Sequence, residues 1–206
     1  MSVPLIAPER ELFPNRMRWT VAECHQLVKS GQIQGRYELI DGEILSKMGQ
    51  KPLHSFVLVV IADWLRSLYG RGRVKEQAPI RIPGVDGCYT EPEPDVILAL
   101  EPVSAYTSRH PGPDDLIIAI EAADTSLQFD LTTKALLYAR AGVPEYWVAD
   151  IPGRQIHIHR RPAEDGYRLV LRAGIGETVA LESRPNDLVE VSTFFPAEDT
   201  ETADGS

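Results

Sequence analysis

From Pro52 to Tyr69 the apolar residues Phe56, Val57, Val60, Ile61, Trp64, Leu65 and Leu68 recur at helical spacing, and Gly70 stops the run. This is the firmest element of the chain, and the others are read outward from it. Upstream, Thr20 and Glu23 supply the two halves of a capping box, which predicts a short helix over 21–29, ended by Gly31. Next, 37–40 and 43–46 flank Asp41-Gly42, the dipeptide of a tight two-residue hairpin. In that register Ile40 faces Glu43 and Glu38 faces Leu45. Both glutamates therefore project from one face of the ribbon, and Tyr37, Leu39 and Ile44 line the other.

Downstream, 74–82, 95–100 and 116–122 read as strands, separated by loops rich in Pro and Gly. A second helix is predicted over 131–141, closed by Gly142 and Pro144. The segments 145–150, 155–160 and 167–172 then form an antiparallel meander, with Pro152-Gly153 turning the first pair. The order α-β-β-α-β-β-β-α-β-β-β predicts an α/β (α+β) domain with a mixed sheet flanked by helices. A length of 206 residues fits one domain, expected over 19–196, with an N-terminal extension (1–18) and an acidic, disordered tail (197–206).

Hydrophobic residues make up 43% and charged residues 25%, which excludes wholesale disorder. The longest apolar run, 56–62, is broken by Asp63 and falls far short of the ~20 residues that span a bilayer. The N-terminus lacks the pattern of a signal peptide, so a cytoplasmic protein without membrane association is expected. Cys24 and Cys88 have no metal-binding or disulfide spacing. A formal net charge of -9 argues against coating nucleic acid by bulk electrostatics. Any DNA contact would need a local basic patch, for which 71–75 and Arg160-Arg161 are candidates. Solvated surface clusters are the alternative.

Asp95 opens one predicted strand and Glu121 lies near the end of the next. If these strands are neighbours, two carboxylates meet at one edge, a set suited to a hard divalent cation such as Mg²⁺ or Mn²⁺. Asp95, Ile97 and Ala99 would share a face, as would Ile117, Ala119 and Glu121. Lys134 falls inside the apolar arc of its helix, among Leu131, Ala135, Leu137 and Tyr138, so its ammonium either snorkels to solvent or meets an anion. Carboxylates, metal and ammonium together describe a phosphodiesterase site. His54 shares a sector with Val57, Ile61 and Leu65, which suits a core histidine or a catalytic base. Glu38 or Glu43 could supply a further ligand or a water-orienting base, with a solvated ribbon face as the alternative. Asp130 reads as a helix N-cap. His157 and His159 alternate on a strand without an acidic partner and read as surface residues.

Tyr37-Glu-Leu-Ile-Asp-Gly-Glu43, His54, Pro94-Asp95-Val96, Ile120-Glu121, and Lys134 with Tyr138-Ala-Arg-Ala-Gly-Val-Pro-Glu-Tyr-Trp147 resemble the Uma-type restriction endonucleases of the PD-(D/E)xK superfamily. The resemblance spans about 19–195 and is most specific over 138–147. It implies a restriction-endonuclease-like fold, metal-dependent hydrolysis of DNA, and Asp95 and Glu121 as the acidic motif positions. Ala123 stands where the motif lysine belongs, and the resemblance implies that Lys134 takes its role. A Val-x-Ser-Pro-Ser segment usual after the glutamate is replaced by Ala122-Ala-Asp-Thr-Ser126, and Asp124 adds negative charge there. The expected function is thus an endodeoxyribonuclease using Asp95, Glu121, Lys134, Glu43 and His54, with DNA as partner. Cutting two strands calls for two sites and so points to a homodimer. The rivals are a non-catalytic interaction module of the same fold and a small phosphoester hydrolase.

Overall fold

The computed structural model describes residues 17–47, 49 and 51–197; the expected acidic tail beyond 197, and the N-terminal extension up to residue 16, lie outside it. Helix α1 (Val21–Lys29) starts at the predicted capping box, in which Thr20 Oγ1 accepts the Glu23 amide and Glu23 accepts the Thr20 amide. Strands β1 (Tyr37–Ile40) and β2 (Glu43–Ser46) pair in the predicted register. Asp41 and Gly42 both take positive φ, 51° and 82°, as the tight turn demands. A side chain at position 42 would also strike Arg18, 2.4 Å away. The hairpin is a separate two-stranded ribbon, tied to the rest by a bridge between Leu39 and Glu91.

The main sheet has six strands in chain order: β3 (Val74–Glu76), β4 (Val96–Ala99), β5 (Leu116–Ala123), β6 (Glu145–Asp150), β7 (Gln155–Ala163) and β8 (Gly166–Gly174). All neighbours are antiparallel except β5 and β6, which are parallel. Their crossover is helical: α3 (Leu127–Phe129), a π-helical turn over Asp130–Lys134, and α4 (Ala135–Ala141). Gly142 then closes α4 in the left-handed region at φ 87°, and the Val143 amide reaches back to the Tyr138 carbonyl, a Schellman-type stop. Strands β9 (Thr178–Val179) and β10 (Val189–Glu190) form a small separate pair.

Burial splits the core into two layers. Helix α2 (Pro52–Tyr69) covers one face of the sheet, packing Val57, Ile61 and Leu65 against Val96, Leu98, Ile118, Ile120 and Trp147. Trp64 stacks on Trp147 with centroids 5.7 Å apart. The crossover helix covers the other, packing Ala135 and Tyr138 against Ile97, Ala119, Ala123, Tyr146 and Val148. β5 and β6, shielded on both sides, are apolar almost throughout, as central strands must be.

Three expectations fail here. The strand expected over 74–82 ends at Glu76, because Gln77 adopts φ 50° and turns the chain away. Ile117 does not share a face with Glu121. A register shift between Leu98 and Ala99 reverses the alternation, so Ile117 packs with the α2 layer. His157 is half-buried with its Nε2 3.9 Å from Asp150 Oδ2, and His159 does not lie on the surface at all. His159 is buried, with ring centroids 5.5 Å from Tyr146 and 5.7 Å from Tyr167, and burial holds its imidazole down at about 4. No helix among the described residues is long and apolar enough to cross a membrane.

Candidate active site

The antiparallel register that places Val96 opposite Ile120 places Asp95, one residue before β4, opposite Glu121. The two predicted carboxylates are therefore neighbours across the sheet. Asp95 Oδ2 accepts the Ala122 amide at 3.0 Å and lies 3.3 Å from His54 Nε2, delivered by the first turn of α2. Lys47, just past β2, brings its Nζ to 3.7 Å from Asp95 Oδ1 and donates to the Glu93 carbonyl. Burial alone would raise the Asp95 carboxyl. The His54 hydrogen bond, the Lys47 and His54 charges and the Ala122 amide outweigh it and hold the group at about 2.

Lys134 approaches from the π-helical turn. Its Nζ lies 2.9 Å from Glu121 Oε1, 3.0 Å from Glu38 Oε2 and 3.7 Å from Asp130 Oδ1, and the residue is only 3% exposed. The Tyr138 hydroxyl donates to the same Glu121 oxygen at 3.0 Å. Burial favours loss of the lysine proton, but the three carboxylates win and raise its pKa above that of free lysine. Burial also pushes the Glu121 carboxyl up, to about 8, with help from the charges of Asp95 and Asp130 and against the pull of Lys134 and Lys47. Asp130 is raised as well, again chiefly by burial.

The Uma2 family, described as "Putative restriction endonuclease", matches residues 21–192. The chain belongs to this family. No curated protein matches it significantly. Among solved structures, a crystal structure titled as a putative nuclease belonging to DUF820 from Anabaena variabilis matches with a TM-score of 0.61 at 15% identity. The match covers 82% of this chain and 96% of that one, which establishes the shared restriction-endonuclease-like fold.

In this Uma2 member the stretch 138–147 is largely architectural. Gly142 stops α4, and Glu145 and Trp147 belong to a buried network on the α2 side of the sheet. There the Trp147 indole donates to Glu145 Oε1 at 2.7 Å, Arg160 Nε donates to it at 2.8 Å, and the Glu182 amide donates to Oε2 at 2.9 Å. Arg160 is thus turned inward, which removes it from the expected basic patch. The other patch surrounds the short turn Arg71–Arg73. Because Val74 pairs with Leu98, while Gln77 donates to the Asp95 carbonyl, that turn sits at the far end of β3 from Asp95. Ala123, in the place of the motif lysine, is fully buried beneath the crossover helix.

Of the predicted site residues, Asp95, Glu121, Lys134 and His54 come together. Glu43 is not within ion-pair distance of Lys134; its partner on the same hairpin face, Glu38, is. Asp130 is no N-cap. It sits inside the helical crossover, accepts from the Ser126 hydroxyl at 2.6 Å and faces Lys134. Asp130 carried a sequence signal through its i, i+4 spacing to Lys134. Lys47 carried none, since it follows a strand end with no periodicity to mark it. Asp124 pairs with Lys51 at 2.6 Å, so its charge is balanced.

The donor chemistry suits a hard cation. Four buried carboxylates, from Glu38, Asp95, Glu121 and Asp130, face the two ammoniums of Lys47 and Lys134. Among the described residues no three His, Cys, Asp or Glu side chains stand ready to enclose a metal by themselves.

Proposed function

We propose that this Uma2 protein is a Mg²⁺- or Mn²⁺-dependent endonuclease that hydrolyses DNA phosphodiester bonds. The observation that carries the reading is the opposition of Asp95 and Glu121 across β4 and β5, with the Lys134 ammonium 2.9 Å from Glu121. The family description and the nuclease title of the structural neighbour support it. Asp95 and Glu121 would hold the metal, which when bound polarises a phosphate and lowers the pKa of water. His54 and the Ala122 amide fix the Asp95 carboxylate, while Lys134 and Tyr138 fix Glu121. Glu38 and Asp130 hold the lysine in turn, a supporting shell of the kind that orients metal ligands. A homodimer would bring the two sites needed to cut both strands of a duplex.

With supercoiled plasmid and Mg²⁺ or Mn²⁺, the wild type should nick and linearise DNA. Asp95→Ala and Lys134→Ala should lose that activity while retaining the circular dichroism of the wild type. Full cleavage by either folded variant would overturn the reading.

A non-catalytic module is the second reading, favoured by the nearly complete enclosure of Lys134 between three carboxylates. Calorimetric titration separates the two: a nuclease site binds Mn²⁺ in the wild type and loses it in Glu121→Ala, whereas a scaffold shows no such difference.

A further inference from the structure

The site contains two ammoniums in unequal circumstances. Lys134 is 3% exposed; its Nζ donates to Glu121 Oε1 at 2.9 Å and lies 3.0 Å from Glu38 Oε2, with Asp130 further off at 3.7 Å. To touch a substrate, Lys134 would have to abandon a buried carboxylate, and a buried pair broken in this way is strongly destabilised. Lys47 differs on each count. Its side chain is 17% exposed, it follows the end of a two-stranded ribbon, and it meets one backbone carbonyl and one carboxylate oxygen, the latter at 3.7 Å. That distance is loose for a charge-assisted hydrogen bond. Lys47 therefore has a path to solvent and no close carboxylate to give up, whereas Lys134 has two within 3.0 Å.

We propose that Lys47 is the residue that contacts the substrate phosphate, and that Lys134 is a positioning residue acting through Glu121. The assignment rests on the nuclease reading and divides between two lysines a role expected of one. Asp95 lies between Lys47 and His54, so an oxygen of a phosphodiester drawn to a metal on Asp95 would arrive beside the Lys47 ammonium. The strong pull of the fixed carboxylates on Lys134 leaves that lysine as internal counter-charge. The contact with Glu93, a backbone carbonyl from the segment leading into β4, keeps Lys47 aimed at this end of the sheet.

The test uses Lys47→Met, which keeps the aliphatic stem and removes the charge, and Lys47→Arg, which keeps the charge. Lys29→Met, at an exposed position in the last turn of α1, controls for the equal loss of net charge. Duplex DNA binding is measured in chelator across a salt series, and plasmid cleavage in Mg²⁺. A lysine acting only through Asp95 as metal ligand would leave metal-free binding unmoved. The expected result is that Lys47→Met weakens metal-free binding by about fivefold or more and lowers the salt slope by about one, the mark of one lost phosphate contact. Lys47→Arg should restore most of the affinity, and Lys29→Met should match the wild type. If the wild type cleaves but Lys47→Met binds DNA like Lys29→Met, the Lys47 assignment falls and the nuclease reading stands. If the wild type neither binds nor cleaves DNA, both fall.

Discussion

Two glutamates on opposite faces of the same sheet, Glu121 and Glu145, are each 2% exposed, yet they are built for different ends. Glu145 meets one guanidinium, one indole and one backbone amide, donors held in place by β6, β7 and the segment at Glu182, and its charge is matched by Arg160 alone. Glu121 receives Lys134 and Tyr138 on a single oxygen and shares its surroundings with Asp95, Glu38 and Asp130. The first cluster is closed in charge and in hydrogen bonds. The second crowds four carboxylates around two ammoniums, and burial answers that crowding by raising the Glu121 and Asp130 carboxyls.

Breaking the closed cluster should give the largest loss of stability. Glu145→Ala strands the Arg160 guanidinium and the Trp147 indole, a change worth about 3–5 kcal/mol. A melting temperature lower by roughly 10 °C is expected by thermal denaturation, with cleavage per folded molecule unchanged at low temperature. A fall in activity without a fall in melting temperature would erase the distinction between the two faces.

Glu121→Gln should do the reverse: cleavage drops by about 10²- to 10³-fold, the range for losing one key electrostatic group, while stability at neutral pH holds. The two proteins should also diverge with pH. The folded state holds the Glu121 carboxyl at about 8 against an ordinary value of 4.5, so folding takes up a proton between those values. That contribution is whole below the ordinary value and is lost as the pH rises through 8. Between pH 5 and pH 9 the wild type should therefore lose more melting temperature than Glu121→Gln; parallel curves would refute the raised Glu121 carboxyl.

Asp124→Asn should produce the smallest effect. Its partner Lys51 is largely exposed, and such pairs contribute less than about 1 kcal/mol. A shift in melting temperature beyond a few degrees would show that this ion pair belongs with the buried clusters.

The sequence made local features legible. The Thr20 capping box, the Asp41-Gly42 hairpin register, α2 and most of the succession of helices and strands follow from periodicity and turn chemistry acting within a few residues. Asp95 and Glu121 could be paired because their strands are consecutive and antiparallel. What was hidden depends on how elements dock. Glu38 and Glu43 share a ribbon face, and only the seating of the hairpin against the crossover helix brings Glu38 to Lys134. Arg160 read as a surface charge because its partner, Glu145, comes from the adjacent strand. Ile117 was misplaced by a bulge that leaves no mark in composition.

The π-helical turn over Asp130–Lys134 has its Ala135 amide reaching back to the Asp130 carbonyl, five residues away. Such a turn accommodates one residue more than a regular helix would over the same axial length, so the stretches on either side run out of phase by about 100°. Asp130 and Ser126 are anchored on the near side, Tyr138 and the Schellman stop on the far side. Deleting a single threonine from 132–133 would let the backbone relax into an unbroken α-helix, and that frame cannot keep both anchors in place. The crossover is thus indexed like a gear, tolerant of changed side chains along its outer surface but intolerant of a changed count.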